Sequence, residues 1–326
     1  MRGRASRWGA AVATYVLVLA LAVLSPEDLG AQRLTYSEGQ PVYPAYEGWR
    51  RHADGTVTMM FGYMNENWDE THPIALGDNN FFSPGPPDRG QPTYFLPRRN
   101  RFVFEVPVPE NFGDQELVWT VVANGQEHKA YGTLREDYYV DNVVIMSETG
   151  ALGAGTSSPE IRANIPPVID LEIADRLTAE VGEPLALVAK VTDDGQPPPE
   201  GFLDAEAPEP DAPPLDLLER ALDDVGGSTV NKAVGLHFMW LVYRGSGNVS
   251  FDPQQIKPWE DTRTHANSPW APYWLPPELR NPSELPEDGR WVSEATFHEP
   301  GTYVLRGRAD DGGLYSDVEV TVEVSP

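Results

Sequence analysis

Residues 293–324 read Ser-Glu-Ala-Thr-Phe-His-Glu-Pro-Gly-Thr-Tyr-Val-Leu-Arg-Gly-Arg-Ala-Asp-Asp-Gly-Gly-Leu-Tyr-Ser-Asp-Val-Glu-Val-Thr-Val-Glu-Val. Apolar and polar residues alternate on both sides of the Asp-Asp-Gly-Gly turn. A period of two puts one apolar face on each run, so this stretch cannot sit as a helix. Two such strands joined by a Gly-containing turn form a hairpin, and a hairpin with one apolar face needs a second sheet to cover it. The expectation is an all-β chain ending in the closing hairpin of a sandwich.

The punctuation of the chain agrees. Its 29 Gly and 32 Pro fall between short β-rich runs, the pattern of strands separated by many turns. Residues 56–64, 101–106, 116–122 and 128–134 read as strands. Asn124-Gly125 between the last two is a strong hairpin signal, because a type I′ turn needs two residues at positive φ. These strands predict an antiparallel sandwich over 32–141. Residues 65–99 between its first two strands have no clear period and hold Trp68, Asp69, Glu70, His72, Asp78, Asn79 and Asn80. A loop of that length in a compact domain carries function or moves. Residues 142–164 are rich in Gly, Ala and Ser and read as a linker.

In the second half, residues 181–195 (Val-Gly-Glu-Pro-Leu-Ala-Leu-Val-Ala-Lys-Val-Thr-Asp-Asp-Gly), residues 236–251 with Trp240, and the closing hairpin follow one another as strands. This arrangement resembles a PKD-like, Ig-like domain over 165–326. The resemblance implies a core tryptophan on the central strand, which Trp240 matches, and the run Pro-Gly-Thr-Tyr-Val-Leu at 300–305 matches the strand after the inter-sheet turn. The Trp-Asp-Phe-Gly-Asp-Gly motif of the better-known PKD members is absent; Trp-Leu-Val-Tyr stands in its place. The resemblance implies an extracellular spacer, adhesion or recognition module and carries over no catalytic residue. The whole chain is therefore expected to be two antiparallel Ig-like β-sandwiches in tandem, the second interrupted by insertions at 196–232 and 252–290.

The first 31 residues have the form of a signal peptide: Arg2, Arg4 and Arg7, then an apolar run over 10–24, then Ser25-Pro26 and small residues up to Ala31. The apolar run falls short of the ~20 residues a membrane span needs, so a cleaved signal is favoured over an anchor, and the mature protein is expected in the periplasm or outside the cell. No other stretch could cross a bilayer. Removing 31 residues from 326 leaves 295, enough for two cores. The chain has no Cys, so export brings no disulfides, and thiolate metal sites and cysteine nucleophiles are excluded. Asp and Glu number 50 against 24 Lys and Arg, for a net charge of −26. That field repels nucleic acid and anionic headgroups.

Two constellations stand out. The 252–290 insertion carries Trp259, Trp270, Tyr273 and Trp274 among prolines. Such rings stack on sugars or proline, or else pin the insertion to its own domain. Asp193, Asp194, Asp310, Asp311 and Asp317 are candidate ligands for calcium, which takes six to eight oxygens; the alternative is ordinary turn chemistry, in which Asp bonds its own backbone. In 196–232, Leu215, Leu217, Leu218, Ala221, Leu222 and Val225 allow one amphipathic helix. No metal-binding spacing of the six His, no P-loop and no nucleophile motif occurs. The expected function is non-catalytic recognition or scaffolding with a protein or glycan partner. The alternatives are a secreted hydrolase, or an accessory module of one, with its site in the cleft between domains, and a plain structural spacer.

Overall fold

The structure, a computed structural model, describes residues 38–67, 70–149, 158–198, 234–255 and 285–326. The signal segment, the 215–225 helix and the four aromatic residues of the second insertion lie outside the described residues.

The chain is all-β, and its strands form two Ig-like sandwiches. In the first, one sheet has the order β1 (Val42–Arg51), β2 (Val57–Asn65), β6 (Arg98–Val108). The facing sheet has β4 (Asn80–Ser83), β7 (Leu117–Ala123) and β8 (Gln126–Gly132), and β3 (His72–Pro73) pairs with β5 (Tyr94–Phe95) at one end. All these pairings are antiparallel. The β7–β8 turn has Asn124 at φ +51° and Gly125 at φ +74°, as its sequence predicts. Between the sheets lies an aromatic core. Phe82 stacks on Trp119 at 5.8 Å, and Phe104 meets Trp119 edge-on at 5.0 Å.

Residues 65–99, expected as a structureless loop, contain β3, β4 and β5 instead. Buried carboxamides stitch this stretch down, because a side-chain amide can satisfy backbone groups that no sheet partner reaches. Asn80 Nδ2 donates to the carbonyls of Ile74 (3.1 Å) and Pro92 (2.8 Å), and its Oδ1 accepts from Trp119 Nε1 at 2.9 Å. Asn65, Asn67 and Gln91 are likewise fully buried and bond to the chain around them. β1 was not anticipated at all. Its Gly and Pro content hides the strand, and a bulge between Tyr46 and Gly48 breaks the alternation.

The second sandwich packs β9 (Val168–Leu171), β11 (Pro184–Thr192), β14 (Arg290–Phe297) and β13 (Val249–Asp252) against β10 (Arg176–Glu180), β16 (Tyr315–Ser325), β15 (Gly301–Asp310) and β12 (His237–Arg244). β10 pairs with β16 in parallel; the other pairs are antiparallel. In chain order this gives first, third, sixth and fifth strands in one sheet against second, eighth, seventh and fourth in the other, the Ig arrangement. Trp240 on the central strand is fully buried between the sheets. Tyr303, near the start of β15, sends its hydroxyl back to the carbonyl of Glu299 at 2.9 Å, a tyrosine corner. Leu187, Ala189, Leu305 and Val320 fill the space where a disulfide would otherwise help, so apolar burial alone closes this core.

Between the sandwiches, residues expected as a flexible linker include helix α1 (Asn142–Thr149) and a single turn, α2 (Pro159–Arg162). Asp141 accepts the N–H of Val144 at 2.9 Å and caps α1. Ile145 and Met146 drive into a third apolar cluster with Met60 and Phe102 of the first sandwich and Leu314 of the second. That cluster ties the two domains together.

Candidate functional site

The two sandwiches enclose a cleft of about 780 Å³, and its walls come from β6 on one side and β12, β15 and β16 on the other. The cleft exists because of an irregularity in β6. Phe61 pairs with Phe104 and Tyr63 with Asn100, so Gly62 alone faces the three residues Arg101, Phe102 and Val103. A Cβ on Gly62 would lie 2.3 Å from the carbonyl of Asn100; only glycine leaves room for the bulge. Phe102 takes φ +47°, a left-handed conformation that costs a non-Gly residue about 1 kcal/mol. In return, the carbonyls of Phe102 and Val103 point out of the sheet.

β15 answers with two arginines. Tyr303, Leu305, Gly307 and Ala309 face its own core, so Arg306 and Arg308 face outward by the period of two, yet each is only 7% exposed because the first sandwich covers them. Arg306 donates to the carbonyl of Val103 and, at 2.5 Å, to Glu319. Arg308 donates to the carbonyl of Phe102 at 3.2 Å and clasps Asp317 with two bonds of 2.7 and 2.8 Å. Each guanidinium lies over a tyrosine ring, Arg306 at 3.4 Å from the centre of Tyr243 and Arg308 at 4.2 Å from that of Tyr315. Burial pushes the Tyr243 phenol up to about 12 and raises that of Tyr315 as well, so both rings stay neutral at any physiological pH.

Residues 88–94 of the first sandwich complete the seam along the free edge of β12. The N–H of Thr93 donates to the carbonyl of Tyr243 at 3.0 Å, and Arg244 donates to the carbonyl of Gln91 at 2.9 Å and to Asp88 at 2.8 Å. Farther along the same edge the Gln255 side chain accepts from the N–H of Trp240 at 2.8 Å. An edge strand left open would invite pairing with another chain; here it is covered from within. The 65–99 stretch thus does reach the domain boundary, as a strap on β12. Residues 256–284, expected to face it, lie outside the described residues.

Chemically the cleft is self-neutralised. Glu105 pairs with Arg50, Asp88 with Arg244, Glu319 with Arg306 and Asp317 with Arg308. One Thr–His–Glu group borders it: His52 Nε2 lies 2.9 Å from Thr58 Oγ1, which donates to Glu105 at 2.5 Å. The same imidazole nitrogen also meets Glu105 at 3.1 Å. A relay needs the carboxylate on the other ring nitrogen, so this geometry does not activate the hydroxyl.

The five aspartates named from sequence fall into separate groups. Asp310 and Asp311 accept backbone N–H groups inside their turn: Gly312 to Asp310 at 2.7 Å, and Gly313 (2.6 Å) and Leu314 (2.7 Å) to Asp311. Asp193 accepts from Gly195 at 2.8 Å and Asp194 from Gln196 at 2.8 Å, and Asp317 is held by Arg308. No group of three or more His, Cys, Asp or Glu placed to hold a metal ion occurs among the described residues. Sequence reasoning missed Arg306 and Arg308, which read as solvent-facing charges on an exposed strand face. The Arg-x-Arg spacing opposite acidic Asp317 and Glu319 was the available signal.

No family model matches this chain, and no curated protein matches it. Among solved structures it is similar to domains 4 and 5 of the S-layer protein SbsC (8% identity over 68% of this chain and 69% of that one, TM-score 0.22). It is also similar to fibronectin(III)-like modules of Clostridium thermocellum CbhA (9% identity, 86% and 94% covered, TM-score 0.20) and to the titin fragment A168169 (9% identity, 87% and 99% covered, TM-score 0.21). The Ig-like assignment rests on the strand order and core described above. No helix among the described residues is long and apolar enough to cross a membrane.

Proposed function

We propose that this is an exported, non-catalytic recognition or scaffold protein, acting in the periplasm or outside the cell on a protein or glycan partner. The observation that carries this reading is the seam. Its buried charges, aromatic platforms and strand-edge contacts join the two sandwiches, and among the described residues every carboxylate lining the cleft has an arginine partner. A hydrolase would need at least one carboxylate or imidazole held apart from such pairing to move a proton. A rigid tandem instead suits a protein that presents loops at a fixed spacing. Within the Ig-like class, the PKD-like reading of 165–326 is the finer form of the proposal. The insertions at 196–232 and 252–290 are the presented loops, with Trp259, Trp270, Tyr273 and Trp274 as the contact residues.

The test is binding of the mature chain to a glycan array and to a panel of exported proteins, repeated on a Trp270→Ala/Trp274→Ala variant. Loss of at least tenfold in affinity with an unchanged melting temperature is the expected result. A ligand that binds both forms equally would remove the insertion as the contact surface. Turnover of an oligosaccharide or peptide by the purified chain would remove the non-catalytic reading.

A further inference from the structure

A second surface lies on the first sandwich, formed by residues 135–140, a stretch of chain outside both insertions. The bulge in β1 restores the same facing to Tyr46 and Trp49, although three positions separate them. Both rings pack on the rim of the aromatic core. The chain leaving β8 returns across them: Tyr46 donates its hydroxyl proton to the carbonyl of Thr133, Trp49 Nε1 donates to the carbonyl of Arg135 at 2.8 Å, and the N–H of Val140 donates to the carbonyl of Trp49 at 2.9 Å. Gly48 makes this approach possible. It has φ +128°, and a Cβ there would lie 2.3 Å from Val140 and 2.5 Å from the carbonyl of Tyr138.

The result is a fixed pair of outer rings. Tyr138 leans on Tyr46 at 5.5 Å, and Tyr139 meets Trp49 edge-on at 5.1 Å. Tyr46 and Trp49 already close the core, while Tyr138 and Tyr139 remain 45% and 46% exposed. Two adjacent half-exposed rings present more aromatic face than their packing on Tyr46 and Trp49 covers, and such a face suits contact with a partner. Their immediate neighbours Glu136 and Asp137 are exposed carboxylates, with Arg135 bound to Asp137 at 2.9 Å. Ring faces attract cations through their quadrupole, and a chain of net charge −26 draws positively charged partners and repels anionic ones.

We infer that Tyr138 and Tyr139, with Glu136 and Asp137, form a docking surface for a basic protein segment that presents Lys or Arg side chains. The rings take the cations, the carboxylates fix their approach, and pre-ordering by Gly48 and Trp49 keeps the entropic cost of contact low. This surface would operate whether or not the aromatic insertion binds anything.

The experiment uses the mature chain and a fluorescent octalysine peptide, read by anisotropy at physiological salt. Octalysine is expected to bind. Tyr138→Leu/Tyr139→Leu, which keeps apolar bulk but removes the π faces, should weaken it about five- to tenfold. Tyr138→Phe/Tyr139→Phe should stay within twofold of the parent. Glu136→Gln/Asp137→Asn should weaken binding several-fold and flatten its salt dependence. Glu180→Gln/Glu183→Gln, removing the same charge from the other sandwich, should leave it within twofold. If the leucine variant does not fold, the phenylalanine and carboxylate pairs decide the matter alone. Equal weakening by both carboxylate pairs would reduce the effect to diffuse charge and overturn the proposal. So would unchanged binding by the leucine variant, or tyrosine-dependent binding of a neutral oligosaccharide in place of the peptide. Trp270→Ala/Trp274→Ala should not alter octalysine binding, so failure of the insertion reading and failure of this one are separable.

Discussion

Asp311 shows how a single turn residue comes to matter for the whole junction. Its carboxylate is 1% exposed and accepts two backbone N–H groups and, at 3.1 Å, the amide of Asn164. Burial outweighs those donors and raises its pKa to about 7. The sign follows from linkage. In the unfolded chain Asp311 loses its proton near pH 4, while in the fold it keeps it to about 7. Between those values the folded state holds the extra proton, so stability falls as pH rises through this window and levels off above it. The change is at most about 4 kcal/mol. Asn164 Oδ1 has no partner among the described residues, so a turned-over amide can accept the proton of a neutral Asp311. The same geometry accommodates Asp311→Asn. Urea unfolding of that variant should show a much flatter slope between pH 4 and 7 than the parent, and equal or higher stability at pH 8. None of this could be read from the Asp-Asp-Gly-Gly run, which specifies the turn but not what covers it.

At the scale of elements, two glycines decide how strands meet. Gly62 admits the β6 bulge. Gly247, at φ +84° after β12, lets the second sandwich approach Tyr94, and a Cβ there would fall 1.8 Å from that ring. Tyr94 cannot easily swing away, because it packs on the second core and donates to Thr71 Oγ1 at 2.9 Å. Gly247→Ala should therefore loosen the strap of residues 88–94. The backbone alone costs about 1 kcal/mol, and the clash adds to it. Amide hydrogen exchange of Thr93, whose N–H bonds Tyr243 across the seam, should quicken by at least tenfold, while exchange in β7 and β14 stays as in the parent. β7 and the closing hairpin were legible because a period of two marks their buried face, and β2 and β12, buried on both faces, because an apolar run of strand length bounded by turn residues marks them. β1, β4 and β5 were not, because bulges, short length and carboxamide bonds replace the period.

For the molecule as a whole, the seam should make two domains unfold as one. Removing one member of a buried ion pair costs up to about 3–5 kcal/mol, and less where the other keeps a second partner. Arg308→Ala removes the two-point clasp on Asp317, which keeps Arg306 at 3.6 Å, and frees the carbonyl of Phe102. Calorimetry of the parent should give one transition, and Arg308→Ala should separate it into two. A single unshifted transition in the variant would mean that the apolar cluster of Met60, Phe102, Met146 and Leu314 suffices to join the domains.

Sequence alone determined the all-β class, the tandem of sandwiches and the hairpin turns at Asn124-Gly125 and Asp310-Asp311-Gly312-Gly313, while the resemblance of the second half to a PKD-like domain implied the burial of Trp240. The former are local: each follows from a period of two or from the φ a turn demands. Tertiary structure alone decided the seam. Alternation assigns Arg306 and Arg308 to an outward face, but whether that face meets water or another domain depends on residues two hundred positions away. The carbonyls they bind point outward only because β6 bulges opposite Gly62, and the tyrosine pair at 138–139 gains its backing only because β1 bulges at Gly48. Such contacts are set by how irregular backbones meet in space, and a pattern along the chain carries no record of that.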